Sequence, residues 1–275
     1  MDLQTLLVDR RDGVTTVTLN RPEKRNSMNP RLTEEMVAVL DELRDDPETR
    51  VVVITGAGST FSAGMDLKEF FTDLGGQPRQ FERIARMSTE WRGRTLRQMP
   101  QPTIAMVNGY CFGGALSIVE GCDLAFAADE ALFGLSEINL KFFPGGPVSM
   151  SLARLFRPRD ALYFALVGET FDGRVAAEMG VVNKSFASGA LADEVASIAA
   201  KIASMDGEAL RVTKEAYWYS REMTWDAGVN FAAAKQSELT LRQNDAWRRE
   251  GIGSFLAGEF RSGLEQYGSE GGTRE

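Results

Sequence analysis

Short apolar runs that end in turn residues and alternate with helical patterns constrain the fold of this chain more than any other feature. They occupy residues 14–20 (VTTVTLN), 51–56 (VVVITG), 103–109 (TIAMVNG), 123–127 (DLAFA) and 180–183 (GVVN). Runs of this kind suit strands buried within a sheet. Between them, Asn29 and Pro30 read as an N-cap and a first helical residue, with Leu32, Met36, Val39, Leu40 and Leu43 on one stripe. Arg157 and Pro158 open a second helix through Leu162 and Leu166; a third runs from Asp172 to Met179, with Gly180 placed to stop it. Strands alternating with helices predict an α/β fold. From about residue 190 the strand signal fades, and 190–205, 208–220, 224–243 and 245–256 read as helices packed on the core or on a neighbouring subunit. The tail 268–275 has no apolar anchor and reads as disordered.

The chain of 275 residues contains no histidine. That removes the Ser-His-Asp triad, the Cys-His pair, the histidine-ligated metal and the imidazole proton shuttle. Cys111 and Cys122 are the only cysteines, too few for a four-cysteine zinc site or a disulfide framework. A reducing compartment is the default for such a chain. Proton transfer falls to carboxylates, hydroxyls, lysines or water. The opening residues MDLQTLLVDRRDG carry charges where a signal peptide needs an apolar run. With no stretch of the ~18 apolar residues that a span requires, the expected location is the cytoplasm. A net charge of −8 disfavours broad nucleic-acid binding but permits an anionic ligand at a local basic cluster. The length suits roughly two domains, or one large domain with an appendage.

Three glycine-bearing segments follow predicted strands: 55–66 (TGAGSTFSAGMD), 108–115 (NGYCFGGA) and 143–147 (FPGGP). None carries a dinucleotide or P-loop fingerprint. Singly, each is ordinary turn chemistry. In this order, two glycine-rich strand-to-helix junctions with free backbone N–H groups suffice to hold one oxyanion between them.

Those segments carry a resemblance. Residues 62–69 (SAGMDLKE) resemble the first oxyanion-hole segment of the crotonase (enoyl-CoA hydratase/isomerase) superfamily, and 108–114 (NGYCFGG) its second. Residues 20–28 (NRPEKRNSM) are similar to its N-terminal CoA-contacting loop. Within the superfamily the likeness is greatest to hydroxycinnamoyl-CoA (feruloyl-CoA) hydratase-lyases, through 65–69 (MDLKE), 102–109 (PTIAMVNG) and 133–139 (FGLSEIN). The resemblance implies a ββα spiral core over 1–200 and a helical oligomerisation region over 201–275, assembled as a homotrimer or a dimer of trimers. It implies coenzyme A as part of an acyl-CoA substrate, with no permanently bound cofactor and no metal.

Carried over residue by residue, the amides of Met65 and Gly114 donate to the thioester oxygen, with Gly113 permitting close approach. Each such donor is worth about 2.7–4 kcal/mol when negative charge develops there. Glu137, between Leu135 and the Phe142–Phe143 pair, is the acid/base candidate, and its apolar neighbourhood should raise its pKa. Ser117 stands where two-glutamate hydratases carry a second glutamate, which suits a hydratase-lyase and leaves Ser117 to orient water or the substrate hydroxyl. Lys24 and Arg25 are expected at the CoA phosphates, Ala63 and Leu67 beside adenine and pantetheine, and Phe255 and Arg261 near a neighbour's CoA.

The chain departs from the pattern at the acyl pocket. Phe70 and Phe231 (or Ala233) replace the tyrosines expected to hold a phenol, Leu140 replaces a tryptophan, and Tyr110 replaces another. A phenol hydroxyl without a partner costs roughly 1–3 kcal/mol. Two outcomes follow: another group such as Tyr163 or a water takes over, or the acyl group is non-phenolic and is hydrated without C–C cleavage.

Overall fold

The computed structural model describes residues 2–259; Arg261 and the tail 268–275 lie outside them. The division between two compact units falls after Gly207.

The first unit is built on two sheets. One has six strands in the order β1 (Leu6–Arg11), β2 (Val14–Leu19), β3 (Val51–Gly56), β5 (Thr103–Val107), β7 (Leu124–Ala128) and β10 (Lys184–Phe186). β1 and β2 form an antiparallel hairpin, and every later pair is parallel. The second sheet orders β4 (Thr60–Ser62), β6 (Tyr110–Phe112), β8 (Leu132–Gly134) and β9 (Thr170–Asp172). Thus β3, β5 and β7 in one sheet are each followed by a short strand in the other, the ββα spiral that the sequence implied.

The helix Pro30–Asp45 starts as its sequence predicts: Asn29 Oδ1 accepts from the Leu32 amide at 2.8 Å. All five residues of its apolar stripe are buried, each contributing about 1.5–3 kcal/mol. The helix Pro78–Glu90 widens into a π-helical turn over Trp91–Thr95 before its last residues, Leu96–Gln98. That widening lets the consecutive Trp91 and Arg92 both point inward, and both are buried.

One expectation needs correction. Residues 180–183 are a turn, in which the amides of Val181 and Val182 both donate to Ala176 O; the strand follows at β10. Their apolarity reports burial and not extension. The helix expected through Leu162 and Leu166 is present at Pro158–Val167; these two leucines are exposed at 58% and 66%, and Ala161, Phe164 and Ala165 pack inward. The second sheet and β1 carried no usable signal, because strands of three residues are too short for periodicity and β1 ends in Asp9-Arg10-Arg11.

The second unit holds the helix Trp225–Arg242, a π-helical turn at Trp247–Ile252 and a last turn at Gly253–Leu256, which carries the half-exposed Phe255. The helix Gly207–Ser220 leads into it. Arg211 ties these helices together through Glu208, Glu215 and Glu238. Among the described residues no helix is long and apolar enough to cross a membrane.

Candidate functional site

The exits of β4 and β6 meet closely, and Gly64 allows it. Its φ is +89°, and a Cβ there would lie 2.6 Å from Phe112 O and 3.2 Å from Gly114 N. Only glycine fits such a contact. Met65 and Gly114 are thereby brought together: Met65 Cγ stands 3.2 Å from where a Gly114 Cβ would be. Among the described residues neither the Met65 amide nor the Gly114 amide finds an acceptor. Both residues line a cavity of about 320 Å³. Two unspent N–H groups on one cavity wall suit an oxygen that gains negative charge.

Glu137 enters the same cavity from the turn Ser136–Leu140, which follows β8. A Cβ on Gly113 would lie 2.9 Å from Glu137 Oε1, so the carboxylate occupies the space that this glycine leaves. Its Oε2 is buried without a hydrogen-bond partner. Burial pushes the carboxyl above its ordinary 4.5. A raised carboxyl with a free oxygen is equipped to take and return a proton. The other walls are Leu67, Phe70, Phe71, Phe81, Leu140 and the Phe142–Phe143 pair, a strongly apolar lining.

Among the described residues, the charged side chains lining this cavity are Glu137 and Arg92. Arg92 is 4% exposed and its guanidinium is pulled down to about 10 by burial. No motif in the sequence singles it out. The signal available was spacing: Ile84, Ser88 and Arg92 recur every four residues on one face, and all three are buried.

The loop that follows β2 is fixed by two of its residues. Arg21, 7% exposed, donates to Ser27 O at 2.7 Å, Asp66 Oδ2 at 3.0 Å and Glu69 Oε1 at 2.6 Å. Asn26 accepts from the Arg21 amide and donates to Ala57 O and Thr60 O. Lys24 and Arg25 are left exposed at the crest. The Ala63 amide donates to Arg25 O at 2.9 Å, and the Met28 amide to Gly64 O at 2.7 Å, so the basic crest is stitched to the segment that enters the cavity. Burial pushes the Asp66 carboxyl up, but the Glu69 amide, Arg21 and Ser27 outweigh it and hold the group below 3.8.

The structure therefore brings Ala63, Met65, Leu67, Phe70, Gly113, Gly114, Glu137 and Leu140 to one cavity, with Lys24 and Arg25 on the loop joined to it. Ser117 is not on its wall. It is fully buried in the helix Leu116–Gly121, where its hydroxyl accepts from Ser151 at 3.3 Å. Tyr110 is also off the wall: alternation along β6 turns it outward, where its ring lies 5.9 Å from the Arg25 guanidinium. Tyr163 is exposed and donates to Glu169 at 2.8 Å, so it supplies no phenol partner in the cavity. Phe231 and Ala233 belong to the second unit, where Phe231 packs edge-on to Tyr219 at 5.5 Å.

Comparison with known proteins agrees with this geometry. The enoyl-CoA hydratase/isomerase family matches residues 9–259. A hydroxycinnamoyl-CoA hydratase-lyase of Pseudomonas fluorescens is 42% identical over 266 residues, covering 96% of this chain and 96% of that one. A 2,3-dehydroadipyl-CoA hydratase of Escherichia coli is 32% identical over 257 residues, covering 92% and 96%. Among solved structures, an enoyl-CoA hydratase of Mycobacterium smegmatis superposes with a TM-score of 0.85 at 27% identity, covering 93% and 97%.

Proposed function

The chain belongs to the enoyl-CoA hydratase/isomerase family, and from that premise we propose that it hydrates a hydroxycinnamoyl-CoA thioester and cleaves the adduct to an aromatic aldehyde and acetyl-CoA. The observation that carries this reading is the Glu137 carboxylate set against Gly113, with its Oε2 buried and without a partner, beside the amides of Met65 and Gly114. The 42% likeness to a hydratase-lyase along 96% of the chain supports the second, bond-breaking step.

The thioester oxygen lies between the two amides. Glu137 takes a proton from water as its oxygen adds to the β-carbon, and the electron pair of the double bond moves onto the thioester as an enolate. Glu137 then returns a proton to the α-carbon, completing the β-hydroxy thioester. In the second half Glu137 removes the hydroxyl proton; the β-carbon becomes the aldehyde carbonyl and the Cα–Cβ pair passes into the acetyl-CoA enolate. The same proton, returned to the enolate carbon, gives acetyl-CoA. One carboxyl serves both halves, and among the described residues lining the cavity Glu137 is the one carboxylate. Lys24 and Arg25 face the CoA phosphates, and Ala63 and Leu67 flank its adenine and pantetheine.

One observation favours a second reading, hydration without cleavage: among the described residues no tyrosine lines the cavity, and Phe70 stands where a phenol partner was expected. Incubation with feruloyl-CoA separates the two. Vanillin with acetyl-CoA supports the lyase; the β-hydroxy thioester alone supports the hydratase. The same reading makes the helical region 201–275 an oligomerisation surface of a cytoplasmic homotrimer or hexamer. Its apolar exposure, with Trp225 at 83% and Leu241 at 81%, supports this, and sedimentation equilibrium tests it.

A further inference from the structure

The cavity holds a buried cation that the mechanism above does not use. Arg92 Nε donates to Ser88 O at 2.8 Å, Nη2 to Ser88 Oγ at 3.1 Å and Nη1 to Gly114 O at 2.9 Å. All three acceptors are neutral, and among the described residues Arg92 has no carboxylate partner. Buried charges are normally paired, because an unpaired one bears its full desolvation cost. A guanidinium carries five N–H donors, so three bonds do not exhaust it.

Its position is specific. A Cβ on Gly114 would lie 2.7 Å from Arg92 Nη1, and one on Gly113 would lie 2.9 Å from Glu137 Oε1. The carboxylate and the cation thus each occupy the space left by one of two consecutive glycines. Glu137 does not neutralise Arg92: burial alone acts on the guanidinium, no arginine acts on the carboxyl, and Glu137 Oε2 has no partner. The nearby lining of Met65, Phe70, Phe81 and Ala85 is apolar and screens a charge poorly.

We infer that Arg92 is the fixed counter-charge for the anion that forms on the thioester oxygen, acting through Gly114. The inference rests on reading the Met65 and Gly114 amides as donors to that oxygen. In the bound substrate the oxygen is neutral. It becomes an enolate oxygen when water adds and again when the Cα–Cβ bond breaks. A cation held against the donor glycine favours that state over the ground state, which is the differential binding that lowers a barrier. Its bond to Gly114 O also fixes the orientation of the glycine whose amide donates. Arg92 is therefore a positioning residue.

The test uses the full chain with acetoacetyl-CoA, whose enolate is read by its near-ultraviolet absorbance, and butyryl-CoA as the neutral reference. The wild type should draw bound acetoacetyl-CoA towards its enolate. R92Q should lose about tenfold or more of that preference while its butyryl-CoA affinity changes by about twofold or less, and kcat should fall with KM nearly steady. R92K, which keeps the charge, should recover most of the preference. An R92Q protein that binds the enolate as well as the wild type overturns the inference. So does a loss confined to acyl groups bearing their own carboxylate or phenolate, which would assign Arg92 to the acyl end. If R92Q does not fold, the wild type decides: acetoacetyl-CoA that ionises no more easily when bound than in water overturns the inference. A wild type that binds no acyl-CoA overturns the reading of the site itself, an outcome distinct from the others.

Discussion

Arg21 and Arg92 are both nearly buried in the same unit, and the protein treats them in opposite ways. Arg21 is held by two carboxylates and a backbone carbonyl, and its partners Asp66 and Glu69 also organise the turn that follows Met65. Arg92 has only neutral acceptors. The carboxylates divide in the same way: Asp66 is fully engaged and held low, whereas Glu137 is raised and keeps a partnerless oxygen. Charges that the chain neutralises for itself serve as scaffold; charges left uncompensated mark where a ligand completes the structure.

The contrast breaks most sharply at Glu137. The substitution E137Q should lower kcat by about 10²–10⁴-fold while leaving acyl-CoA affinity nearly intact, measured by steady-state kinetics and by titration calorimetry. Near-normal turnover would mean that the uncompensated carboxylate is not the acid/base. On the scaffold side, R21M should cost about 3 kcal/mol in urea unfolding, because it leaves the buried Asp66 carboxylate without its cation. A loss under about 1 kcal/mol would show that the paired network is dispensable.

The two carboxyls should also respond oppositely to pH. The folded pKa of Asp66 is depressed, so its contribution is present above 3.8 and is lost as pH falls through the folded value. The folded pKa of Glu137 is raised, so its contribution is present below 4.5 and is lost as pH rises through the folded value. Thermal melts should accordingly find D66N less stable than wild type at neutral pH and converging with it in acid. E137Q should be more stable than wild type at neutral pH and lose that advantage in acid. Parallel curves for the two variants would erase the distinction. The smallest effect is expected at Ser117. With its hydroxyl bonded inside the core to Ser151, S117A should change kcat by no more than about tenfold, the worth of one hydrogen bond.

How far the sequence foretold this arrangement depended on whether a residue's role was local. The cap at Asn29, the stripe behind it and the glycine junctions are set by neighbours in the chain, and all were legible. Roles fixed by contacts between distant segments were less so. Whether Ser117 faces ligand or core depends on Ser151, 34 residues away. In the basic loop the conspicuous Lys24 and Arg25 stay on the surface while Arg21, with the same formal charge, is drawn inside by Asp66 and Glu69 more than 40 residues on. Arg92 was hidden because an arginine on a helix ordinarily marks a solvated face, and the Gly114 carbonyl that receives it lies 22 residues further along the chain.

The order of strands in the larger sheet has a consequence for how the protein is made. After the first hairpin, β3, β5, β7 and β10 join the sheet in the order in which they occur in the chain, each beside its predecessor. The sheet therefore grows at one edge, in the direction in which a ribosome delivers it, and no strand must insert between two already paired. Met65 is delivered first, the glycine pair second and Glu137 last. A nascent chain assembles the two amides proposed to bind the thioester oxygen before it acquires the carboxyl proposed to move protons.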